Sequence, residues 1–215
     1  MATFIHDKNP NSKELEKVLE ELPKCPGVCI FIDIINSTKI KYSVGIKEWG
    51  KKLNNTFNFI SFLNDFPDNV VKGIGDEIML YIPDEDLKAK SSYNDYYSLL
   101  EEIYATFDNI KNFPIDNLFL NCKAAIHYCT DVYNITYFEG ANDYYGKDID
   151  LSARFMSKSK TNRIVISEKF YEKILEDVRA QKNPEKHGCL KHISEKFIED
   201  FKGIPEYIPF RVIDV

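Results

Sequence analysis

The chain has 215 residues, 28 basic against 34 acidic side chains and a net charge of −6, with 44% apolar and 29% charged residues. That length suits a single domain whose core needs no disulfide or metal staple. Nine glycines exclude a collagen-like or glycine-rich chain, and the acidic balance with no basic stripe makes duplex nucleic acid and anionic membrane poor partners.

The N-terminus, MATFIHDKNPNSKELEK, has no apolar core of the kind a secretory signal carries. No stretch approaches the roughly 18 consecutive apolar residues that span a bilayer. Five cysteines, Cys25, Cys29, Cys122, Cys129 and Cys189, form no paired C-x-x-C knuckle. An odd number without zinc-ligand spacing fits a reduced, cytoplasmic chain with small buried thiols.

In chain order, residues 12–24 read as a short amphipathic helix capped by Ser12 and ended by Pro23 and Pro26. Residues 27–35, GVCIFIDII, are a dense apolar run suited to a strand buried on both faces. Asn36, Ser37 and Thr38 then turn into a helix whose stripe is Trp49, Leu53, Phe57, Ile60 and Leu63. Residues 69–83 show two apolar arms around Gly-Ile-Gly-Asp, a hairpin signal. A second long helix carries Tyr96, Leu99, Leu100, Ile103, Phe107 and Ile110.

Residues 118–129 read as a strand, with DVYNITYF as its hairpin partner. Residues 146–159 are helix-like, 163–167 are a strand, and Ser167 caps a helix through Val178. The tail closes with two short strands. The order β-α-β-β-α-β, extended by further α and β pieces, predicts an α/β (α+β) sandwich of the ferredoxin-like, palm type.

Four places could carry chemistry. Asp33 closes an apolar strand, where an unpaired charge would cost several kcal/mol to bury. A solvent-facing strand end is the plain account. The alternative is a carboxylate beside the helix start at Asn36–Thr38, whose free N–H groups can hold phosphate while the carboxylate holds a divalent cation. Asp76 sits at a Gly-Asp hairpin tip, ordinary by itself. Next to Asp33 it becomes the second carboxylate of an Mg²⁺ or Mn²⁺ site. Asp150 and Arg154 stand four apart on a helix and could be a surface ion pair worth a few tenths of a kcal/mol. A lone lysine such as Lys202 is ordinarily just solvated.

Together the segments FIDIINST, KGIGDEIMLYIP, DYYGKDIDLSAR, RIVIS and FKGIPEYIPFRV, in this order, resemble the catalytic domain of class III nucleotidyl cyclases over residues 27–215. Residues 1–26 are then an N-terminal extension. The diguanylate cyclases share a related palm but need a GG[DE]EF signature that is missing. The resemblance implies that Asp33, Asp76 and the backbone carbonyl of Ile34 bind two divalent cations, Mn²⁺ or Mg²⁺. It implies that Asn36, Ser37 and Thr38 cradle phosphates, joined by Lys202, and that Lys72 and Asp143 read the base. Asp150 falls where the family usually has a ribose-positioning asparagine, and Arg154 where an arginine stabilises charge on the α-phosphate.

The resemblance further implies a homodimer with two composite sites, metal and phosphate groups from one protomer and Lys72, Asp143, Asp150, Arg154 and Lys202 from its partner. The expected reaction turns a nucleoside triphosphate into a 3′,5′-cyclic nucleotide and pyrophosphate. Lys72 and Asp143 offer a donor and an acceptor, the pattern that adenine and cytosine edges match. In layout the chain is similar to stand-alone bacterial Pycsar pyrimidine cyclases, which implies cyclic UMP or cyclic CMP, antiphage signalling and a separate cyclic-nucleotide-gated effector. The alternatives are a soluble adenylate cyclase and, because Asp150 departs from the family pattern, a silent nucleotide-binding homologue.

Overall fold

The computed structural model describes residues 2–5, 13–89, 94–113, 118–180 and 188–215. The expected Ser12 cap lies outside them. The main element is a seven-stranded sheet built on β2 (Gly27–Ile34), with β4 (Glu77–Pro83) and β5 (Cys122–Cys129) antiparallel on either side. β3 (Val70–Ile74) forms one edge beside β4, and β7 (Arg163–Ser167) runs parallel to β5. β9 (Ile208–Asp214) and β8 (Phe197–Glu199) complete the order β3-β4-β2-β5-β7-β9-β8. The α+β sandwich expected from the apolar runs is what forms.

Strand alternation divides the sheet into two unlike faces. Val28, Ile30, Ile32 and Ile34 of β2 point into the larger core. There they meet α3 (Ile46–Phe59), α4 (Ser61–Asp65), α6 (Tyr96–Asn112) and α8 (Glu168–Ala180). Cys29 and Phe31 point the other way, into a smaller core with Met79, Tyr81, Tyr144 and Phe155. Among the described residues only α7 (Lys147–Phe155) packs broadly on that second face.

The expected helix through Trp49 and Leu63 is divided. α2 (Ser37–Val44) stops at Gly45, whose positive φ of 79° lets its N–H reach Lys41 O at 2.9 Å. Ile60 then leaves helical geometry between α3 and α4. Thr56 Oγ1 contributes by accepting the Leu120 N–H at 2.8 Å, which ties the end of α3 to the approach to β5. The helix after β7 starts as expected: Ser167 Oγ accepts the Phe170 N–H at 3.1 Å.

DVYNITYF is not the hairpin partner of β5. Its fifth and sixth residues form β6 (Ile135–Thr136), which runs parallel to β1 (Thr3–Phe4) in a separate two-stranded sheet. β5 already has β2 and β7 on its two edges, so no edge remains for it. Within residues 1–26, the described pair Thr3–Phe4 is thus hydrogen-bonded to the segment after β5. After β1, α1 (Lys13–Glu21) leads to Cys25, whose N–H donates to Val132 O at 2.8 Å. All five cysteines are free thiols. Among the described residues no helix is long and apolar enough to cross a membrane.

Candidate active site

The chemistry-bearing residues converge on the sheet's second face and its rim. Asp33 ends β2 directly opposite Glu77 of β4 and Lys123 of β5. Antiparallel partners share a face, so one cation and two carboxylates are brought side by side. The β3–β4 turn places Gly75 at φ 69° and delivers Asp76 to the same end of the sheet. A cavity of about 600 Å³ is lined by Asp33, Ile34, Asn36, Ser37, Thr38, Lys39 and Asp76. The two expected metal carboxylates thus share one cavity with the expected phosphate turn.

That turn has the right backbone for an anion. Asn36 takes the left-handed conformation, φ 55°, and its side chain makes no cap for α2. The first N–H groups of α2 keep their donors free of a side-chain cap, at the positive end of the helix. Ser37 is buried and its Oγ accepts the Trp49 indole N–H at 3.1 Å, which fixes the turn against α3.

The electrostatics of this corner are those of a site short of positive charge. Burial pushes the Glu77 carboxyl up, and the neighbouring Asp33 and Asp76 push it further, against the opposing pull of Lys123. Lys123 Nζ stands 3.1 Å from Asp33 Oδ2, half-buried on both sides. Two carboxylates, with the Ile34 backbone at hand, suit a hard divalent cation that takes few protein ligands and retains water or phosphate oxygens. Among the described residues no group of three or more His, Cys, Asp or Glu side chains is placed to hold a metal ion.

The second group lies between β3 and α7. Lys72, on the edge strand opposite Met79, donates to both carboxylate oxygens of Asp143 at 2.9 Å. Asp143 Oδ1 also accepts the Tyr144 N–H at 2.8 Å. Of the tyrosines near the site, Tyr144 is buried and stacks on Tyr81 with ring centroids 4.1 Å apart. Tyr145 flanks the ion pair, its ring 5.9 Å from Lys72 Nζ. Tyr42 is 89% exposed on α2.

Asp150 and Arg154 are exposed on α7, and Lys202 is exposed in the loop between β8 and β9. The expected alternative, an ion pair from Asp150 to Arg154, does not form. Among the described residues the Arg154 guanidinium and the Lys202 ammonium have no partner. Two cations are thus exposed without a partner, one on α7 and one in the loop before β9. The structure brings together Asp33, Ile34, Asn36, Ser37, Thr38 and Asp76, and separately Lys72 with Asp143. It leaves Asp150, Arg154 and Lys202 without a bond to either group.

Sequence reasoning missed Lys123, Glu77, His127 and Asp148. A lone cation in the apolar run LFLNCKAAIHYC was a readable signal, since a half-buried Lys needs an anion and Asp33 was the matching oddity. Asp148 carried no such signal, being one of three acidic residues in a short segment.

No protein-family model matches the chain, and no curated protein matches it by sequence. Solved structures do match in three dimensions. The adenylyl cyclase CyaB from P. aeruginosa is 19% identical, with TM-score 0.63 and 91% of this chain covering 97% of that one. The guanylate cyclase domain of RhGC from Catenaria anguillulae, solved with GTP, is 15% identical, with TM-score 0.63 and coverage of 89% and 97%. The dimeric guanylyl cyclase domain of RhoGC from the aquatic fungus Blastocladiella emersonii is 16% identical, with TM-score 0.60 and coverage of 89% and 97%. With two carboxylates, a phosphate-ready turn and near-complete overlap on these domains, the chain has the fold of a nucleotidyl cyclase catalytic domain.

Proposed function

We propose that the chain is a metal-dependent nucleotidyl cyclase that converts a nucleoside triphosphate to a 3′,5′-cyclic nucleotide and pyrophosphate. The carrying observation is the cavity in which Asp33 and Asp76 face the uncapped start of α2. Divalent cations held by Asp33, Asp76 and the Ile34 carbonyl would supply Lewis acidity to the ribose 3′-hydroxyl and the triphosphate. The chain's own part is placement and charge. The N–H groups at Asn36–Thr38 receive phosphate oxygens, and Lys123, released from Asp33 when a cation takes that carboxylate, adds positive charge beside them.

In the reaction the O3′–Pα bond forms, the Pα–O bond to pyrophosphate breaks, and the 3′-hydroxyl proton passes to solvent. Arg154 faces the charge that grows on the α-phosphate, and Lys202 a terminal phosphate. Their outward, unpartnered placement supports a site completed by a second copy, so that a two-fold dimer holds two composite sites. Asp150 points at the ribose.

Lys72 and Asp143 present one donor and one acceptor, matched by the edges of cytosine and adenine. The Tyr145 ring beside the pair takes up space and favours the smaller base, so we read the enzyme as a pyrimidine cyclase with CTP a better fit than UTP. A cyclic pyrimidine product would act on a separate cyclic-nucleotide-gated effector in antiphage signalling. Cyclic AMP is the second reading, favoured by the Lys72–Asp143 pair itself. The test is incubation with ATP, CTP, GTP and UTP separately, with Mn²⁺, and identification of products by mass spectrometry. A cyclic pyrimidine is the expected product, and cyclic AMP would install the second reading. Nucleotide binding without any cyclic product or pyrophosphate release would overturn the cyclase and leave a silent nucleotide-binding module.

A further inference from the structure

Asp148 is the second residue of α7, 6% exposed, and not one of the groups assigned above to metal, phosphate, ribose or base. Its carboxylate is the most connected in that part of the molecule. Oδ2 accepts the backbone N–H of Thr130 at 2.6 Å and of Asp131 at 2.9 Å, and the Thr130 hydroxyl at 3.3 Å. Oδ1 lies 3.3 Å from His127 Nε2 and 3.4 Å from Lys169 Nζ. One side chain therefore ties the start of α7 to the end of β5 and to the first turn of α8.

The backbone repeats the tie. Gly146, at φ 153°, precedes α7 so closely that a Cβ there would lie 2.0 Å from Asp131 O. Tyr133 and Tyr145 exchange both backbone hydrogen bonds, at 2.8 and 3.0 Å. Residues 130–133 are thus the anvil on which the segment 143–148 is set. That segment begins with Asp143 and leads directly into Asp150 and Arg154.

We propose that Asp148 is a positioning residue for the reaction: it holds α7 against β5 and so sets the separation between the base reader Asp143 and the Asp150–Arg154 face. The inference rests on the cyclase reading. A cyclising nucleotide must present its base and its α-phosphate to residues spaced by this clamp, and a displacement of about 1 Å can cost about a hundredfold in rate. Asp148 touches no substrate. It acts through the helix it begins.

The variant is Asp148→Asn, which keeps the shape and one acceptor oxygen but removes the charge facing His127 and Lys169. Turnover is normalised to folded dimer, and the Mn²⁺ concentration for half-activation is measured alongside. The expected result is a kcat lower by about tenfold or more with half-activation by Mn²⁺ unchanged, because Asp33 and Asp76 are untouched. A kcat per folded dimer within about twofold of the parent would overturn the proposal, since a purely structural role lowers only the folded fraction. If the parent itself makes no cyclic product, the cyclase reading fails separately. Amide hydrogen exchange then decides the clamp. Faster exchange along α7 as far as Arg154 in Asp148→Asn supports it, and a change confined to Thr130 and Asp131 overturns it.

Discussion

The corner around Asp33 and the frame around Asp143 and Asp148 solve opposite problems. At Asp33 three carboxylates crowd one end of the sheet, with Lys123 against Asp33 and Lys39 in the cavity lining, and the Glu77 carboxyl is pushed up by burial and by its neighbours. At Asp148 burial alone would push the carboxyl up too. There the His127 contact and the Thr130 and Asp131 N–H bonds win, and hold it well below the usual carboxylate range. One region is left short of positive charge and suits an incoming cation. The other is satisfied from within the chain and suits a fixed frame. Preorganisation is spent where geometry must be kept, and electrostatic want is kept where a ligand must enter.

The largest effect should come from breaking the first region. Asp33→Asn or Asp76→Asn should each lower cyclic-product formation by about a thousandfold, several kcal/mol of charge stabilisation, while the circular dichroism spectrum stays that of the parent. Turnover retained in both variants would remove these carboxylates from the chemistry.

A smaller effect sharpens the second region. Reversing the ion pair with Lys72→Asp and Asp143→Lys together keeps a pair at that place but inverts donor and acceptor. The preferred triphosphate should move toward the keto bases of UTP or GTP, with kcat/KM ratios shifting by about ten- to a hundredfold. Unchanged ratios across the four triphosphates would mean that the pair does not face the base.

The smallest effect is a pH dependence. Asp148 has a lower pKa folded than unfolded, so the unfolded chain binds its proton first as pH falls. Its stabilising contribution, about 2 kcal/mol for charge-assisted hydrogen bonds, is complete at neutral pH and shrinks below the ordinary carboxylate pKa of about 4. The stability gap between parent and Asp148→Asn should therefore be widest at pH 7 and close toward pH 3 in denaturant titrations. The neutral His127 beneath it adds no charge of its own at pH 7, because burial pushes its pKa down against the pull of Asp148.

Much of this was readable locally. The run through Asp33, the Gly-Asp turn at Asp76 and the periodic stripe of α6 are short-range patterns, and each formed as an element where it was expected. The division at Gly45 was less legible, because apolar spacing at three and four continued past it into α3. DVYNITYF misled for another reason. Its alternation is real, but a strand pairs only where an edge is open, and β7 arrives from far along the chain to occupy the one beside β5. The Asp148 clamp was illegible because its partners come from β5, the loop beyond it and α8.

The sequence by itself determined which segments carry charge and in what order, since periodicity, turns and caps act within a few residues. The tertiary structure alone decided that Asp33 meets Lys123 and Glu77, that Lys72 closes on Asp143, and that Asp148 locks α7. Those pairings depend on strand register and helix docking between residues far apart in the chain. A one-residue shift in the register of its strand would turn Asp33, Lys72, Glu77 or Lys123 to the opposite face.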